Sequence, residues 1–380
     1  MSWAVLGSRL LDTHKTWLAT KRLPSQRWAP HNCCSCLFFA SLRLCVRFSL
    51  SGALCLCVRF RCPVKTQETP TEQDAAVAVR SRLGLEPIEV RRLLTGLCHF
   101  VFAVETSAGP KAVVRIATPA TRHLLQGGVY WNDWLRPIGI PLPAMLAVGL
   151  QPSEIRFPFV ILEHLPGVDL HAIYQDLSSD DKFQIVSEIA RIQKKVSALP
   201  EAGGFGFATS YNVPPRYSTW GAVLAAILGE ADQRMNLPDH PGRTYLHETS
   251  RILEQHKAYF AAVKPVPFLD DTTTKNVLIS QGRLSGIVDV DQVCFGDLLL
   301  PIGLTQMALL AGQCDLDYTE HWMSILRLTE PQRAVVNTYT ALFCVVFMSE
   351  LGQCFNRSET PDFDLEKFSQ LESTFKGLMN

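Results

Sequence analysis

The sequence predicts an α+β fold in two lobes, the first rich in β-strands and the second mainly helical. Between residues 98 and 163, apolar residues fall in short runs separated by turn residues, which is typical of strands. After residue 178 they recur every three to four positions over long stretches, which is typical of helices. Strands followed by helices, rather than alternating with them, indicate an α+β arrangement.

Charge is divided unevenly along the chain. The 380 residues include 36 Lys and Arg and 36 Asp and Glu, so the formal net charge is zero. Residues 1–67 hold ten of the bases and a single acid, Asp12, which gives this segment a charge of +9 and leaves −9 for the rest. A protein that binds nucleic acid mainly through phosphates needs a basic excess, so we expect no nucleic-acid partner.

Residues 1–67 are expected to lie outside the fold. A segment rich in Arg and poor in acids is typical of a mitochondrial transit peptide, and an unstructured extension is the alternative. Its longest uncharged apolar-rich run, Phe48 to Val58, is far shorter than the roughly 20 residues of a spanning helix, so we expect no transmembrane segment. Its cysteines lack the spacing of a zinc site. The expected location is cytoplasmic, or mitochondrial if the segment is a transit peptide.

The predicted first lobe, residues 68–163, opens with a short helix that ends at Gly84. The β-rich runs Cys98–Thr106 and Lys111–Ile116 are joined by a Ser-Ala-Gly-Pro turn, which predicts an antiparallel hairpin. The apolar run Phe157–Leu162 predicts a further buried strand, and the Pro-Gly pair that follows breaks it.

The predicted second lobe, residues 164–380, is mainly helical. Ser178, with Asp181 three residues later, is close to a capping box and predicts a helix that Pro200 ends. Helical periodicity also predicts helices at Tyr217–Met235, Tyr245–Val263 and Ala334–Leu351.

Two apolar strands flank a Gln-Gly turn at positions 281 and 282. If Val277–Ser280 pairs with Arg283–Gly286 around this turn, Asn276 faces Ile287. Asn276 and the later Asp289 then emerge at the same open end of the hairpin.

This arrangement places Asn276 and Asp289 beside the polar loop that carries Asp271. Carboxylate and amide oxygens suit Mg²⁺, which takes its remaining ligands from water and phosphates. A carboxylate that stays off the metal could accept a proton from an attacking hydroxyl. The alternative is a turn in which Asp270, Asp271 and the threonines satisfy one another locally.

The spacing favours the site over the turn. Asp271 and Asn276 are five positions apart, and Asp289 follows thirteen later, beyond the hairpin. This pattern resembles the catalytic loop and metal-binding aspartate of the protein-kinase-like superfamily, and most closely the aminoglycoside phosphotransferase and choline kinase family. The resemblance implies a small antiparallel-sheet N-lobe and a larger helical C-lobe. It also implies that Asp271 is the catalytic base and that Asn276 and Asp289 hold Mg²⁺.

Looser motifs extend the resemblance over roughly residues 80 to 350. The segment Leu94 to Phe102 is similar to the loop and strand that cover the nucleotide phosphates, which implies a phosphate contact at Gly96. Val-Val-Arg-Ile at positions 113–116 is similar to the strand that carries a cation toward the phosphates. By strand alternation Lys111 and Arg115 share a face, and Arg115 is preferred because it lies deeper from the turn.

The segment Phe159 to Gly167 is similar to the strand and hinge between the lobes. This likeness implies that the backbone of Glu163 and Leu165 contacts adenine. The predicted function is ATP- and Mg²⁺-dependent transfer of the γ-phosphoryl group to a hydroxyl of a small molecule. The acidic balance of the folded part is compatible with a cationic acceptor, and a solvated acidic surface explains it equally well.

The sequence departs from the family at three places. Leu269 and Asp270 replace the usual His-Gly before the catalytic aspartate, and the phosphate loop has the single glycine Gly96. No acid stands in Gln-Gly-Gly-Val-Tyr-Trp, residues 126–131, where the family's helix often supplies a Glu to pair with the strand cation. These departures motivate the alternative of a pseudokinase that binds nucleotide without turnover.

Overall fold

The computed structural model describes residues 69–94, 98–107, 109, 111–152, 155–236, 240–356 and 361–379. The predicted N-terminal extension, residues 1–67, lies outside these residues, and so does Gly96. Among the described residues, no helix has both the length and the apolar character needed to cross a lipid bilayer.

The first part of the described chain is a helix followed by a five-stranded antiparallel sheet. Helix α1 begins after the capping box of Thr71 and Asp74 and ends at Gly84, whose φ of 66° suits glycine. The sheet has the order β1-β2-β3-β5-β4, with helix α2 between β3 and β4. The bounds are α1 Glu72–Leu83, β1 Pro87–Leu93, β2 Phe100–Thr106, β3 Ala112–Ile116, α2 Arg122–Leu135, β4 Met145–Gly149 and β5 Phe159–Glu163.

Burial along these strands explains which of them the sequence predicts. Strand β2 alternates between buried and half-buried residues, so its period of two is visible in the sequence. Strand β1 is an edge strand without such alternation, and the sequence does not predict it. The predicted hairpin of β2 and β3 is confirmed, and the predicted buried strand is β5.

The second part is mainly helical, with two small three-stranded sheets. Helix α4 begins at the predicted capping box of Ser178 and Asp181. The helices are α3 Leu170–Ile173, α4 Ser179–Val196, α5 Trp220–Arg234, α6 Arg243–Gln255, α7 Lys257–Ala262, α8 Leu300–Ala311, α9 Asp317–Ile325, α10 Glu330–Glu350 and α11 Leu365–Met379. The strands are β6 Val168–Asp169, β7 Gly206–Ala208, β8 Val266–Phe268, β9 Val277–Ser280, β10 Arg283–Ile287 and β11 Val293–Gly296.

One predicted helix is interrupted. The sequence predicts continuous helix over Tyr245–Val263, but the structure has α6 and α7 with a break at His256. The His256 amide donates to the carbonyl of Leu253, three residues back at 3.2 Å, so the last turn closes tightly and the axis is not continued. The strand-rich and helix-rich division itself is confirmed.

The hairpin of β9 and β10 differs from the predicted register by one residue. Arg283 and Leu284 pair as predicted, but a bulge follows, and Ile287 pairs with Val277 instead of Asn276. The cause lies outside the hairpin. The Ile287 amide donates to the carbonyl of Pro141 at 2.9 Å, and a Cβ on Gly286 would lie 2.4 Å from Leu165 Cδ1. Strand β10 is therefore pulled toward the hinge, which shifts its pairing with β9.

Candidate active site

The loop between β8 and β9 carries the predicted base. One Asp271 carboxylate oxygen accepts from the Thr273 hydroxyl at 2.8 Å and from the Thr273 amide at 3.3 Å. The Asn276 side-chain amide donates to the backbone carbonyl of Asp271 at 3.4 Å. Asp271 and Asn276 therefore belong to one hydrogen-bonded loop, and local satisfaction of Asp271 by Thr273, the alternative interpretation, is also present in it.

A glutamine from α4 holds this loop at Leu269, the position at which the resemblance implies a histidine. Gln193 is buried, and its side chain donates to the carbonyl of Leu269 at 2.8 Å and accepts from the amide of Leu269 at 3.0 Å. It also donates to the Thr272 hydroxyl at 3.3 Å. Gln193 could not be recognised as a site residue from the sequence, because it appears there only as a buried position in the period of a helix, 76 residues before Leu269.

Two adjacent carboxyls, those of Asp270 and Asp271, lie in the loop. Burial raises the pKa of Asp270 to about 7, and the charge of Asp271 adds to the effect. Burial also raises the pKa of Asp271, with a contribution from Asp289, while the hydrogen bonds from Thr273 oppose the rise. A carboxylate with a raised pKa is a stronger proton acceptor than one in water.

The predicted metal ligands lie at the same end of the hairpin. The Val288 amide donates to the carbonyl of Asn276 at 3.0 Å, which places Asn276 one residue from Asp289 across the strands. Asp289 has a φ of 64°, a conformation that Asp adopts more readily than most residues and that is often found at functional sites. Its side chain is 44% exposed. Asn276 and Asp289 thus offer two oxygen ligands of the type that Mg²⁺ prefers.

Arg115, on β3, lies against this end of the hairpin. Its guanidinium donates to Asp289 at 2.5 Å and to both oxygens of Asp291 at 2.9 and 2.8 Å. Burial opposes the charge of Arg115, but the two carboxylates outweigh burial and raise its pKa. The strand cation therefore has carboxylate partners, although α2 supplies none.

Asp291 belongs to this cluster without having been predicted as a site residue from the sequence. Its second oxygen also contacts His99 Nε2 at 2.7 Å. Burial opposes the effect, but Arg115 and His99 hold the pKa of the Asp291 carboxyl below its ordinary value. A signal existed in the sequence: an Arg buried on a strand requires an acid, and Asp291 is the acid two residues after the predicted metal ligand.

The predicted hinge lies at the end of β5. The amide of Glu163 donates to the carbonyl of Ala144 at 2.9 Å, and its side chain accepts from the amide of Ala144 at 3.1 Å. The Leu165 side chain lies so close to Gly286 of β10 that a Cβ on Gly286 would be 2.4 Å from Leu165 Cδ1. The hinge is thus in contact with the strand that leads to Asp289. Gly96 lies outside the described residues, between β1 and β2.

A model of the family described as "Phosphotransferase enzyme family" (APH) matches residues 89–310. No match was found among curated proteins. The fold is similar to that of several solved structures, at low sequence identity. One is the GDP complex of wild-type aminoglycoside 2'-phosphotransferase-IIIa, with a TM-score of 0.60 and 17% identity, covering 81% of this chain and 98% of that one.

A second is a thermostable mutant of aminoglycoside phosphotransferase APH(4)-Ia in ternary complex with AMP-PNP and hygromycin B, with a TM-score of 0.57 and 16% identity. The alignment covers 80% of this chain and 97% of that one. A third is ADP-bound aminoglycoside phosphotransferase APH(2'')-Ib, with a TM-score of 0.54 and 14% identity, covering 80% and 99%.

Proposed function

The chain belongs to the phosphotransferase enzyme family, as the sequence predicted, and we propose that it transfers the γ-phosphoryl group of ATP, with Mg²⁺, to a hydroxyl of a small molecule. The observation that carries this proposal is the convergence of Arg115, Asp271, Asn276 and Asp289, which come from both lobes of a kinase-like fold. Such a cluster suits phosphoryl transfer, in which the protein mainly positions the reactants and stabilises charge.

Asp271 would act on the acceptor. The hydroxyl oxygen forms a bond to the γ-phosphorus, the bond from that phosphorus to the bridging oxygen breaks, and ADP leaves. The proton of the hydroxyl passes to the Asp271 carboxylate, whose raised pKa favours acceptance. Thr273, by donating to one oxygen of Asp271, fixes the orientation of the carboxylate.

Asn276 and Asp289 would hold Mg²⁺, and their oxygens fit its preference for hard ligands. When bound, the ion supplies positive charge that neutralises the phosphate oxygens. Arg115 would add a further fixed positive charge from the other lobe. The backbone of Glu163 and Leu165 would contact the base, because these residues form the connection between the sheet and the helical lobe.

Nucleotide binding is further supported by the solved structures of similar fold, whose complexes contain AMP-PNP, ADP or GDP. Because both adenine and guanine nucleotides occur among them, ATP and GTP should be compared directly. The acceptor should be sought with a panel of aminoglycosides, choline, ethanolamine, homoserine and sugars, with ADP release as the signal.

The central experiment is Asp271→Asn, measured with the best acceptor of the panel. We expect turnover to fall by at least about 100-fold, since general-base catalysis contributes about 10²–10⁴-fold, while Mg-ATP continues to raise the melting temperature. Asp133→Asn, which changes an exposed carboxylate on α2, is the matched control and should leave turnover unchanged. Native-level turnover in Asp271→Asn would contradict the assignment of the base.

A nucleotide-dependent thermal shift without turnover on any acceptor would favour the pseudokinase alternative. Absence of any shift with ATP, GTP and Mg²⁺ would contradict the proposed nucleotide site as a whole.

A further inference from the structure

Helix α2 approaches the active site with two glycines instead of a carboxylate. Gly127 and Gly128 lie in the middle of the helix, where glycine is destabilising relative to alanine. The first acid of α2 is Asp133, which is exposed. A glycine pair in a helix interior therefore needs a structural reason.

The reason is the close approach of Asp291. A Cβ on Gly127 would lie 2.2 Å from the backbone oxygen of Asp291, and a Cβ on Gly128 would lie 2.6 Å from its carboxylate Oδ1. Contacts this short do not occur between real atoms, so a side chain at either position would displace Asp291. The two glycines form the space in which Asp291 sits.

In this space Asp291 holds Arg115 with two parallel hydrogen bonds, at 2.9 and 2.8 Å, the bidentate geometry that orients a guanidinium most strongly. Its remaining contact is with His99 at 2.7 Å. The Asp291 side chain is 12% exposed. The Asp289 side chain is 44% exposed and accepts a hydrogen bond from only one nitrogen of Arg115.

We propose that Asp291 is the positioning residue that orients Arg115 toward the nucleotide phosphates, that Gly127 and Gly128 exist to admit it, and that Asp289 is thereby left available for Mg²⁺. In this chain the carboxylate partner of Arg115 comes from the segment after the predicted metal-binding hairpin and not from α2. This inference rests on the proposed function, because it assumes that Arg115 meets phosphate.

The different roles of Asp289 and Asp291 follow from their hydrogen bonds to Arg115. If Mg²⁺ takes Asp289, Arg115 loses one of its three hydrogen bonds and keeps the two to Asp291. Arg115 then stays oriented while the metal binds. If Asp291 were absent, the same carboxylate of Asp289 would have to serve both the metal and the guanidinium.

The first test compares Asp291→Asn with Asp289→Asn in the full chain. Asp291→Asn should raise the KM for ATP by about 10- to 100-fold, the loss expected from a charged hydrogen-bond pair, without changing the Mg²⁺ concentration that gives half-maximal activity. Asp289→Asn should instead raise the Mg²⁺ requirement. If Asp291→Asn shifts the Mg²⁺ requirement, Asp291 is a metal ligand and the proposal is wrong.

The second test places a carboxylate on helix α2. Gly128→Asp alone should impair nucleotide binding, because it crowds Asp291 and places two like charges together. Combined with Asp291→Ala, the same change should recover at least about tenfold of the lost affinity for Mg-ATP. No recovery, with both single variants folded, would overturn the proposal.

A thermal measurement separates this inference from the proposed function. Gly128→Ala should lower the melting temperature of the native protein but lower that of Asp291→Ala by less, since Asp291→Ala removes the carboxylate oxygen that the new methyl group would meet. Gly229→Ala, whose Cβ meets no atom within 4 Å, is the control and should not lower it. This comparison of single and double variants does not require the protein to turn over a substrate. If the two changes lower the melting temperature by amounts that simply add, the proposed fit of Asp291 to the glycines is wrong. Absence of turnover in the native protein would instead contradict the proposed function.

Discussion

The indole N–H of Trp220 donates to the hydroxyl of Tyr339 at 2.7 Å, and this hydroxyl donates to the Asp297 carboxylate at 2.7 Å. All three side chains are buried. Asp297 also accepts from the amide of Leu299 at 3.0 Å, so it orders the turn that leads into α8. Burial raises the pKa of Asp297, and the hydrogen bonds oppose that rise. The chain of hydrogen bonds ties α5 and α10 to the end of β11, which pairs with the strand preceding the catalytic loop.

Tyr339→Phe should therefore destabilise the protein beyond the loss of one hydrogen bond. The variant keeps the ring but leaves the buried Trp220 donor without its partner and removes one of the hydrogen bonds to Asp297. We expect the free energy of unfolding to fall by about 1–3 kcal/mol, measured by urea denaturation. Tyr130→Phe, on a half-buried ring of α2, is the control and should change it by less than about 0.5 kcal/mol. Equal effects of the two changes would contradict the role of the Tyr339 hydroxyl.

Gly286→Ala should weaken nucleotide binding through the hinge. A methyl group at this position would lie 2.4 Å from Leu165 Cδ1 and 2.7 Å from the Pro141 oxygen, so the hinge or the strand must move. We expect the KM for ATP to rise by about tenfold or more, which corresponds to about 1.4 kcal/mol. Gly229→Ala, in open space on α5, is the matched control. A native KM in Gly286→Ala would show that the contact between Leu165 and β10 does not set the nucleotide site.

The sequence predicted features that depend on neighbouring residues, but not contacts between residues that are far apart in the chain. The helix at Ser178 and the hairpin of β2 and β3 follow from patterns within a few residues. The shift in register at Gly286 could not be predicted, since its cause is a hydrogen bond to Pro141 from another part of the chain. The family resemblance predicted Asp271, Asn276 and Asp289 as site residues, and in the structure Asn276 is hydrogen-bonded to Asp271 and to Val288, the neighbour of Asp289.

The partners of these residues were not predicted for the same reason. Arg115 and Asp291 are 176 positions apart, and no periodicity connects a strand cation to an acid at that distance. The absence of an acid from the middle of α2 can be read from the sequence. That Asp291 takes the place of this acid, beside Gly127 and Gly128, follows only from the structure. Gln193 was likewise only a position on a helix until its contact with Leu269 was seen.

Asp270→Asn should alter the pH dependence of stability. The pKa of Asp270 is raised in the folded protein from an ordinary 3.8 to about 7, first by burial and then by the charge of Asp271. Between about pH 4 and pH 7 the folded state thus binds more protons than the unfolded state, and stability falls as pH rises through this window. The asparagine cannot ionise, so this contribution to the fall should disappear.

The measurement is the melting temperature of both proteins from pH 4 to pH 8. The advantage of Asp270→Asn should grow with pH up to about 7, since each unit by which the pKa is raised corresponds to about 1.4 kcal/mol and each 1 kcal/mol to about 2–4 °C in melting temperature. Asp133→Asn, at an exposed position, should run parallel to the native curve. A constant difference at all pH values would show that Asp270 has no raised pKa.

Gln193→Leu should loosen the catalytic loop. The change preserves volume approximately but leaves both the amide and the carbonyl of Leu269 without their partner. We expect kcat to fall by about tenfold or more while the KM for ATP changes by less than about threefold, because Asp271 is displaced and the hinge is not. Lys194→Gln, an exposed change on the same helix, is the control and should leave kcat unchanged. A selective loss of nucleotide affinity would contradict this role.

The chain without residues 1–67 should fold and bind Mg-ATP. Helix α1 is the first described element, and its start depends on Thr71, which accepts from the amide of Asp74 at 3.3 Å while its own amide donates to the Asp74 carboxylate at 2.8 Å. Ala75, Ala78 and Val79 of this helix are fully buried in the same cluster as Phe102 and Val114 of the sheet. A chain that begins at residue 68 retains all of these contacts, whereas one that begins at residue 75 loses the cap and should be less stable by about 1 kcal/mol. The melting temperatures of the two truncated proteins, with and without Mg-ATP, test this prediction. An unfolded 68–380 chain would show that the basic segment is required for the structure of the phosphotransferase.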